Sequence, residues 1–200
     1  MTATTSSCNC SDSLFFLRAW VRNPLRVASA TPSSRSLSQL ITREVGPETG
    51  RVIELGPGTG VFTRALLDRG VKESDLILVE RGPEFMGLLS GRYPQATILG
   101  IDAARIGAAE IGGAPVGAVV SGLPLLSMPP RKVMAILANA FRHLDAGGHF
   151  YQFTYGPRCP VPRAILDRLG LKAVLVGRTL QNFPPAAVYR ISRRRRFPLL

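Results

Sequence analysis

Cysteine and histidine are scarce in this chain, and their scarcity limits disulfide and metal chemistry. The three cysteines, Cys8, Cys10 and Cys159, are odd in number, and the first two are separated by a single residue in a polar segment. This pattern does not predict a disulfide framework and fits a reducing cytoplasm. The two histidines, His143 and His149, stand at no ligand spacing from the first two cysteines. We therefore predict that the protein has no metal site.

The chain also lacks a long apolar run. Its longest near-apolar stretch, PVGAVVSGLPLL, is well short of the roughly 18 residues that span a bilayer, and glycine and proline interrupt it. The first residues, MTATTSSCNCSDS, lack the basic start of a signal peptide. We expect a cytoplasmic protein that keeps its N-terminus and does not cross the membrane.

Acidic residues are few relative to basic ones. The chain has 13 Asp plus Glu against 25 Lys plus Arg, so its formal net charge is +12. Such an excess attracts polyanions, either nucleic acid or an anionic membrane surface, and charge alone does not choose between them. A chain of 200 residues has room for one domain with a substantial core.

From Arg51 onward, short β-rich runs alternate with segments of helical length. The predicted strands are Val52–Leu55, Leu76–Glu80, Thr97–Gly100, Gly117–Val120, His149–Thr154, Ala173–Val176 and Val188–Ile191. The predicted helices are Gly60–Arg69, Pro83–Arg92, Ala103–Ile111, Pro130–Leu144 and Val161–Leu169. This order predicts an α/β fold with a Rossmann-like sheet of seven mostly parallel strands that ends in an antiparallel hairpin.

Two further segments precede this core, and the first of them has the character of a membrane-surface helix. In DSLFFLRAWVRNPLRV, Arg18, Arg22 and Arg26 recur every fourth residue beside Phe16 and Trp20. A basic stripe next to large aromatic residues is typical of a helix that lies in an anionic lipid interface, so we predict that these five residues bind membrane. An ordinary helix that packs on the core through its leucines is the alternative.

The second segment, Ser34–Val45, is predicted to be a helix with Ser33 or Ser34 as its N-cap and Gly46 as its stop. The last segment carries Arg193–Arg196 and is predicted to be a solvated tail. The predicted division of the chain is a disordered tail (1–12), membrane-associating helices (13–46), the main domain (47–192) and a basic tail (193–200).

The stretch VIELGPGTG places an acid and three glycines between the first strand and the first helix of the core. Glu54 stands two residues before Gly56, and Gly58 and Gly60 follow. A dinucleotide-binding loop would carry its last glycine at the position of Val61, and the acid would repel a pyrophosphate. S-adenosylmethionine carries an ammonium and a sulfonium group but no phosphate. The stretch therefore predicts a site for this cofactor, with its amino-acid end held by the acid; a tight turn without a ligand is the alternative.

Two more acids follow predicted strands. Glu80 closes the stretch LILVE about 20 residues after the glycine loop, where an acid can accept hydrogen bonds from both ribose hydroxyls. Asp102 either accepts from the adenine amino group or caps the helix that begins at Ala103. The carboxyl ends of these strands form the expected ligand crevice of an open α/β sheet. The complete set of predicted cofactor contacts is Glu54, Gly56, Gly58, Gly60, Glu80, Asp102, Ala103, Ser121, Gly122 and Leu123.

The stretch SGLPLLSMPP after the fourth strand bears on the methyl acceptor. Methyltransferases that act on exocyclic adenine nitrogens carry Asn-Leu-Pro-Tyr or a similar tetrad at this place, whereas here Gly122 replaces the Asn and Leu125 replaces the aromatic residue. The groups that would hold and stack an adenine are therefore missing. We expect no nucleic-acid partner; a buried loop is the alternative role for the two leucines of GLPLL.

Four stretches in this order, VIELGPGTGVFTRALL, VVSGLPLLSMP, QFTYGP and NFPPAAVY, make the chain resemble the bacterial phospholipid N-methyltransferases, soluble enzymes related to ribosomal RNA adenine dimethylases. The resemblance covers about residues 14–192. It implies a class I S-adenosylmethionine-dependent methyltransferase that converts phosphatidylethanolamine stepwise to phosphatidylcholine. It also implies a peripheral enzyme with an N-terminal amphipathic helix, which we place on the inner face of the cell membrane. An RNA adenine N6-methyltransferase with the same cofactor is the alternative function.

Tyr155 of QFTYGP ends the fifth predicted strand and is our candidate for contacting the acceptor amine. It would do so through its hydroxyl, or by cation–π contact as methyl groups accumulate on the nitrogen. A core aromatic residue at a strand end is the alternative. His149 stands at the start of the same strand, away from the predicted crevice, and is predicted to be a structural or surface residue.

Overall fold

The computed structural model describes residues 32–194 except 113, 157 and 183. The predicted N-terminal tail and the first predicted helix lie outside the described residues, and so does most of the predicted basic tail. Outside them therefore lie the predicted membrane-binding residues Phe16, Arg18, Trp20, Arg22 and Arg26.

Seven strands of the described residues form one sheet. They are β1 (Arg51–Leu55), β2 (Leu76–Val79), β3 (Thr97–Leu99), β4 (Val116–Ser121), β5 (Leu144–Thr154), β6 (Leu171–Thr179) and β7 (Ala186–Arg193). Their spatial order is β3-β2-β1-β4-β5-β7-β6. The first five strands pair in parallel, and β7 pairs antiparallel with both β5 and β6. The predicted sheet with its late antiparallel hairpin is confirmed.

In the described residues, five α-helices accompany the sheet, namely α1 (Pro32–Ile41), α2 (Val61–Asp68), α3 (Pro83–Arg92), α4 (Pro130–His143) and α5 (Arg163–Arg168). Short 3-10 helices occupy Pro47–Thr49, Glu73–Asp75, Ala103–Ala108 and Leu125–Ser127. The bounds of α2 to α5 lie within two residues of the predicted ones. Within the described part of the chain, no helix combines the length and the apolar character needed to span a bilayer.

The central strands are apolar because helices cover both faces of the sheet. On β1, Ile53 and Leu55 face the core that α4 and α5 cover, whereas Val52 faces the core that α1, α2 and α3 cover. All three side chains are fully buried. Glu54, between Ile53 and Leu55, is the one buried polar residue of β1. It places a buried carboxylate near the carboxyl end of the strand.

The strand order reverses between β1 and β4. Strands β2 and β3 lie on one side of β1, while β4 and β5 lie on the other. The chain segments that leave the carboxyl ends of β1 and β4 therefore run to opposite faces of the sheet and leave a crevice between them. This is the edge at which the sequence places its candidate cofactor residues.

The predicted helix Ala103–Ile111 is wrong as an α-helix, because this segment forms a 3-10 helix that ends at Ala108. Side chains of α4 bind its backbone carbonyls: Asn139 Nδ2 donates to Ala104 O at 2.6 Å, and His143 Nε2 lies 2.7 Å from Ile106 O. Hydrogen bonds from α4 side chains thus satisfy carbonyls that would accept from backbone amides in an α-helix.

Helix α1 differs from its prediction at both ends. It begins at Pro32, so Ser33 and Ser34 lie inside its first turn rather than before it. It ends at Ile41, well before Gly46, because the following turn tightens: Arg43 N donates to Leu40 O at 3.3 Å and Val45 N to Thr42 O at 3.0 Å. The stop is therefore a local hydrogen-bonded turn and not the glycine.

The described part of the predicted membrane-associating segment 13–46 is α1, which packs on the main domain. Its apolar residues Leu37 and Ile41 are buried against the sheet, in one core cluster with Val45. Arg43 also ties the segment to β6 by donating to Val176 O at 2.6 Å. The apolar face of α1 is already covered by protein, so this helix is an integral part of the main domain.

The predicted basic tail likewise begins later than expected. Strand β7 continues through Arg193, whose guanidinium donates to Leu144 O at 3.1 Å and lies 5.2 Å from the centre of the Phe141 ring. Arg194 donates to Leu171 O at 2.9 Å. These two arginines therefore belong to the folded domain, where they bind the carbonyls that follow α4 and begin β6.

Replacing Ile41 with Ala tests whether α1 stabilises the domain. The side chain is fully buried, so its truncation should lower the free energy of unfolding by about 2–4 kcal/mol. Urea unfolding followed by circular dichroism measures this loss. Gln39→Ala, on the exposed face of the same helix, is the matched control and should cost much less. Equal small losses in both variants would mean that α1 does not contribute to the core.

Candidate functional site

The glycine loop that follows β1 has the left-handed backbone that glycine permits. Gly56, Gly58 and Gly60 have φ angles of +68°, +55° and +83°. A Cβ on Gly56 would lie 2.7 Å from Leu123 Cδ2, whereas a Cβ on Gly58 would meet no atom within 4 Å. The first glycine is therefore required by protein packing, and the second leaves open space at the edge of the crevice.

Glu54 is the chemical centre of this edge. Its side chain is 0% exposed. Thr63 of α2 donates its hydroxyl to Glu54 Oε2 at 2.6 Å, and no described residue bonds the other oxygen, Oε1. Burial, with a smaller contribution from Glu80, raises the pKa of Glu54 from 4.5 to about 8. A buried carboxylate with one free oxygen is the group expected next to a bound cation.

Glu80 connects the end of β2 to the glycine loop. Its Oε2 accepts from Gly58 N at 3.1 Å, and its Oε1 accepts from the backbone amides of Arg81 and Gly82 at 2.8 Å each. Three amides thus hold one carboxylate in place and fix the loop against the neighbouring strand. The carboxylate stays partly exposed at the crevice, where it can accept further hydrogen bonds.

Asp102 caps the 3-10 helix that begins at Ala103, so the cap interpretation is confirmed. Its Oδ1 accepts from Ala104 N at 2.9 Å. Its Oδ2 accepts from Lys132 Nζ at 2.7 Å, and Arg81 lies 3.6 Å away. The hydrogen bond with Lys132 is the main reason that the pKa of Asp102 is lowered. The acid is therefore ionised and bridges the loops after β2 and β3.

The segment Ser121–Leu123 packs directly on the glycine loop. Gly122 N donates to Leu55 O at 2.8 Å, and a Cβ at position 122 would lie 2.7 Å from Gly56 O. Glycine is thus the residue that this close approach of two backbones permits. Leu125 is buried at 2% exposure, which confirms the buried-loop interpretation for that side chain.

Gln152 is a buried polar residue that the sequence reasoning missed. It lies on β5 opposite Ser121 of β4 and is fully buried. Its Nε2 donates to Leu123 O at 2.9 Å, while its Oε1 has no partner among the described residues. A glutamine inside an otherwise apolar strand is the signal that identifies it. Its role is to hold the loop after β4 in position.

Tyr155 lies just beyond β5 in an aromatic cluster. Its ring centre is 5.3 Å from that of Phe153, which in turn lies 6.0 Å from Phe62 of α2. Burial raises the pKa of the Tyr155 hydroxyl, and a hydrogen bond from the Asn182 side chain opposes this shift. Asn182 is itself buried and is a second residue that the sequence reasoning missed.

The structure brings most of the predicted cofactor residues together at one sheet edge, some in direct contact and others through an intervening residue. Hydrogen bonds or close backbone contacts link the glycine loop to Glu80 and Gly122, and Glu54 precedes it on β1. Asp102 joins the group through Arg81. Tyr155 connects to it through the aromatic cluster of Phe153 and Phe62, at the start of α2. Within the described part of the chain, no group of three or more acids, histidines and cysteines could hold a metal ion.

Replacing Glu54 with Gln tests the buried carboxylate. The folded protein keeps this proton up to about pH 8, whereas the unfolded chain releases it near its ordinary pKa. The free energy of unfolding therefore falls as the pH rises between these values, on the order of 1.4 kcal/mol per pH unit. The variant should not show this decrease in the free energy of unfolding, and it should be more stable than the wild-type protein at pH 8.5. Urea unfolding across pH 5–9 measures both. Glu48→Gln, at an exposed acid, should show no such gain.

Replacing Glu80 with Ala tests the acid at the end of β2. The variant should bind S-adenosylmethionine about 1–3 kcal/mol more weakly, because a charged acceptor is lost and the glycine loop loses its anchor. Calorimetric titration measures the change. Glu84→Ala, the same substitution at an exposed acid nearby, should bind normally, and unchanged affinity in both variants would contradict the assignment of Glu80.

The sequence of this chain is related to two kinds of methyltransferase, although no family model matches it. It is 30% identical over 185 residues to the ornithine lipid N-methyltransferase of Singulisphaera acidiphila, an alignment that covers 89% of this chain and 94% of that protein. It is 37% identical over 94 residues to the ribosomal RNA small subunit methyltransferase A of Nitrobacter winogradskyi, which covers only 44% of this chain and 32% of that protein.

The fold is shared with solved methyltransferases of low sequence identity. A TehB-like S-adenosylmethionine-dependent methyltransferase from Corynebacterium glutamicum superposes with a TM-score of 0.60 at 16% identity, covering 93% of this chain and 100% of that one. The 1,6-didemethyltoxoflavin-N1-methyltransferase of Burkholderia thailandensis, solved with S-adenosylhomocysteine, gives 0.63 at 14%, covering 96% and 93%. The predicted class I methyltransferase fold is confirmed.

The two sequence relationships differ in extent. The likeness to the ribosomal RNA enzyme is confined to less than half of this chain, whereas the likeness to the lipid enzyme runs through nearly the whole of both proteins. The resemblance that the four sequence stretches carry is therefore confirmed as a relationship to lipid N-methyltransferases. The chain belongs to the bacterial lipid N-methyltransferase family represented by the Singulisphaera acidiphila enzyme.

Proposed function

We propose that this protein transfers methyl groups from S-adenosylmethionine to the amine of phosphatidylethanolamine, stepwise and at a membrane surface. The observation that carries the proposal is the fully buried Glu54, whose Oε1 has no partner among the described residues, beside a glycine loop with open space at Gly58. This arrangement suits a cationic cofactor and disfavours a pyrophosphate.

The described residues fit such a cofactor. Glu54 would face its ammonium group, Glu80 its ribose hydroxyls, and Asp102 with Ala103 its adenine. The segment Ser121–Leu123 would close the crevice from the side of β4. When bound, S-adenosylmethionine supplies a methyl group on a positively charged sulfur. The ammonium would favour the ionised form of the buried carboxylate, so binding below about pH 8 should release a proton.

The acceptor side of the proposal rests on Tyr155. Because burial raises the pKa of its hydroxyl, this group stays protonated at neutral pH and serves to orient the amine rather than to remove a proton. Asn182 fixes the hydroxyl, and Phe153 fixes the ring. Orientation of a neutral amine toward the methyl group provides much of the acceleration that such a displacement needs. The ring face can stabilise the positive charge that methylation creates.

A lipid acceptor is supported by the family relationship, and the phosphatidylethanolamine assignment by the resemblance of the four sequence stretches. Ornithine lipid, named for the Singulisphaera acidiphila relative, is the second acceptor to test. An adenine acceptor in RNA is weaker, since position 122 has no room for the asparagine that would hold the base and Leu125 is buried. In this proposal the predicted helix with Arg18, Arg22 and Arg26 holds the enzyme peripherally on the inner membrane face.

Methyl transfer from labelled S-adenosylmethionine tests the function. The purified full chain is incubated with vesicles that contain phosphatidylethanolamine, with vesicles that contain ornithine lipid, and with ribosomal RNA. Label should appear in phosphatidylethanolamine and then in its methylated products. Label in ornithine lipid alone would correct the acceptor, and label in RNA alone would refute the lipid proposal.

Tyr155→Phe tests the acceptor-side assignment. Loss of the hydroxyl should lower kcat/KM for the lipid about tenfold, equivalent to about 1.4 kcal/mol, with unchanged affinity for S-adenosylmethionine. Tyr151→Phe is the matched control, because it removes the hydroxyl of another buried tyrosine, which lies within β5 four residues before Tyr155. An equal effect of both substitutions would mean that Tyr155 acts only through stability.

A further inference from the structure

A large groove on one face of the domain is lined by residues of α1, α2 and α3. It encloses about 1340 Å³, and the hairpin residues Arg178–Gln181, where β6 ends, form one side of it. Six arginines line this groove, which we call the arginine groove: Arg35, Arg43, Arg64, Arg69, Arg92 and Arg178. Thr59 and Gly60 of the glycine loop also line it, so the groove reaches the edge of the cofactor crevice.

Four of these arginines already have protein partners. Arg43, Arg69 and Arg92 donate to backbone carbonyls at 2.6, 2.8 and 2.7 Å. Arg64 pairs with Asp68 at 3.0 Å, and Asp68 is the one acid among the described residues that line the groove. Bonds to neutral carbonyls leave a guanidinium charged, so Asp68 compensates Arg64 alone and the described lining of the groove keeps a large excess of positive charge.

The Arg35 and Arg178 side chains are exposed, and neither guanidinium has a hydrogen-bond or ion-pair partner among the residues that the structure describes. They lie at the same end of the groove, because Ser36 next to Arg35 donates its hydroxyl to Gln181 at 2.9 Å. Strand β6 runs parallel to β5, since both pair antiparallel with β7. This end of the groove is therefore at the carboxyl-end edge of the sheet, where the crevice opens.

Leu180 stands between Thr179 and Gln181, which line the groove, and is itself 83% exposed. Leu126, in the loop after β4, is 43% exposed and lies at the same sheet edge. An apolar side chain this exposed beside unpaired arginines is typical of a surface that meets a lipid interface. Single-stranded RNA would instead favour exposed aromatic side chains for base stacking.

We propose that this edge of the folded domain docks on anionic phospholipid bilayers, with Leu180 inserted below the headgroups and Arg35 and Arg178 against lipid phosphates. The crevice then opens toward the membrane, and a lipid amine reaches it without leaving the bilayer. The inference rests on the proposed function and identifies the surface through which it operates. It is independent of the N-terminal helix, since all three residues belong to the described domain.

The test compares two pairs of variants of the full chain in co-sedimentation with phosphatidylglycerol–phosphatidylcholine vesicles at physiological salt. Arg35→Glu with Arg178→Glu should lower vesicle affinity about tenfold or more, and Leu180→Ser about threefold to tenfold. Lys72→Glu with Lys172→Glu carries the same change in net charge at the opposite sheet edge. Leu175→Ser removes an exposed leucine within β6, about 15 Å along the chain from Leu180. Both controls should change affinity less than about twofold.

Circular dichroism and calorimetric binding of S-adenosylmethionine show that each variant is folded. Full vesicle affinity in the Leu180 and arginine variants, or equal losses in the controls, would overturn the docking surface. Loss of binding to labelled RNA with vesicle affinity retained would assign the groove to nucleic acid and would also overturn it. Methylation of detergent-dispersed lipid should persist in the docking variants. Absence of lipid methylation in the wild-type protein would instead refute the proposed function, while vesicle affinity would still decide the surface.

Discussion

The burial of the Glu54 carboxylate between β1 and α2 is the constraint on which the site depends. An acid with no exposure destabilises a fold unless its charge is suppressed or compensated, and here it is suppressed by the raised pKa. The only side chain that bonds it among the described residues is Thr63, at the first turn of α2. The three glycines then let backbone rather than side chains cover the adjoining space, and Glu80 fixes that backbone from the next strand. Strand, loop, helix and crevice are thus arranged around one carboxylate.

The sequence predicts the parallel half of the fold well because the relevant signals are local. Apolar runs of strand length, the glycine loop and the acids at strand ends each lie within a few consecutive residues. The 3-10 segment at Ala103–Ala108 could not be predicted this way, since Asn139 and His143 reach it from a distant helix. The burial of α1 was missed for a different reason. An apolar stripe looks the same whether protein or lipid covers it, and only the tertiary contacts of Ile41 decide.

The net charge of the chain illustrates a related limit. Composition alone treats all arginines as available to polyanions, but several of them bind carbonyls at the ends of helices and strands. Arg69, Arg193 and Arg194 each donate to the backbone of a neighbouring element. Such arginines satisfy acceptors that would otherwise be unpaired. Only a structure separates them from Arg35 and Arg178, so the excess of +12 does not show which guanidinium groups have donors free to bind a partner.

The antiparallel hairpin positions Tyr155, whereas the parallel strands carry the glycine loop and its acids. Insertion of β7 between β5 and β6 pairs Thr154 with Ala187. This register brings Asn182, in the turn before β7, to the hydroxyl of Tyr155 just beyond β5. The same turn carries Leu180 out to the sheet edge. A shift of one residue in the β5–β7 pairing would reverse the faces of β7 and separate these groups. The register of one strand pair therefore sets both the position of Tyr155 and the shape of the surface around the crevice.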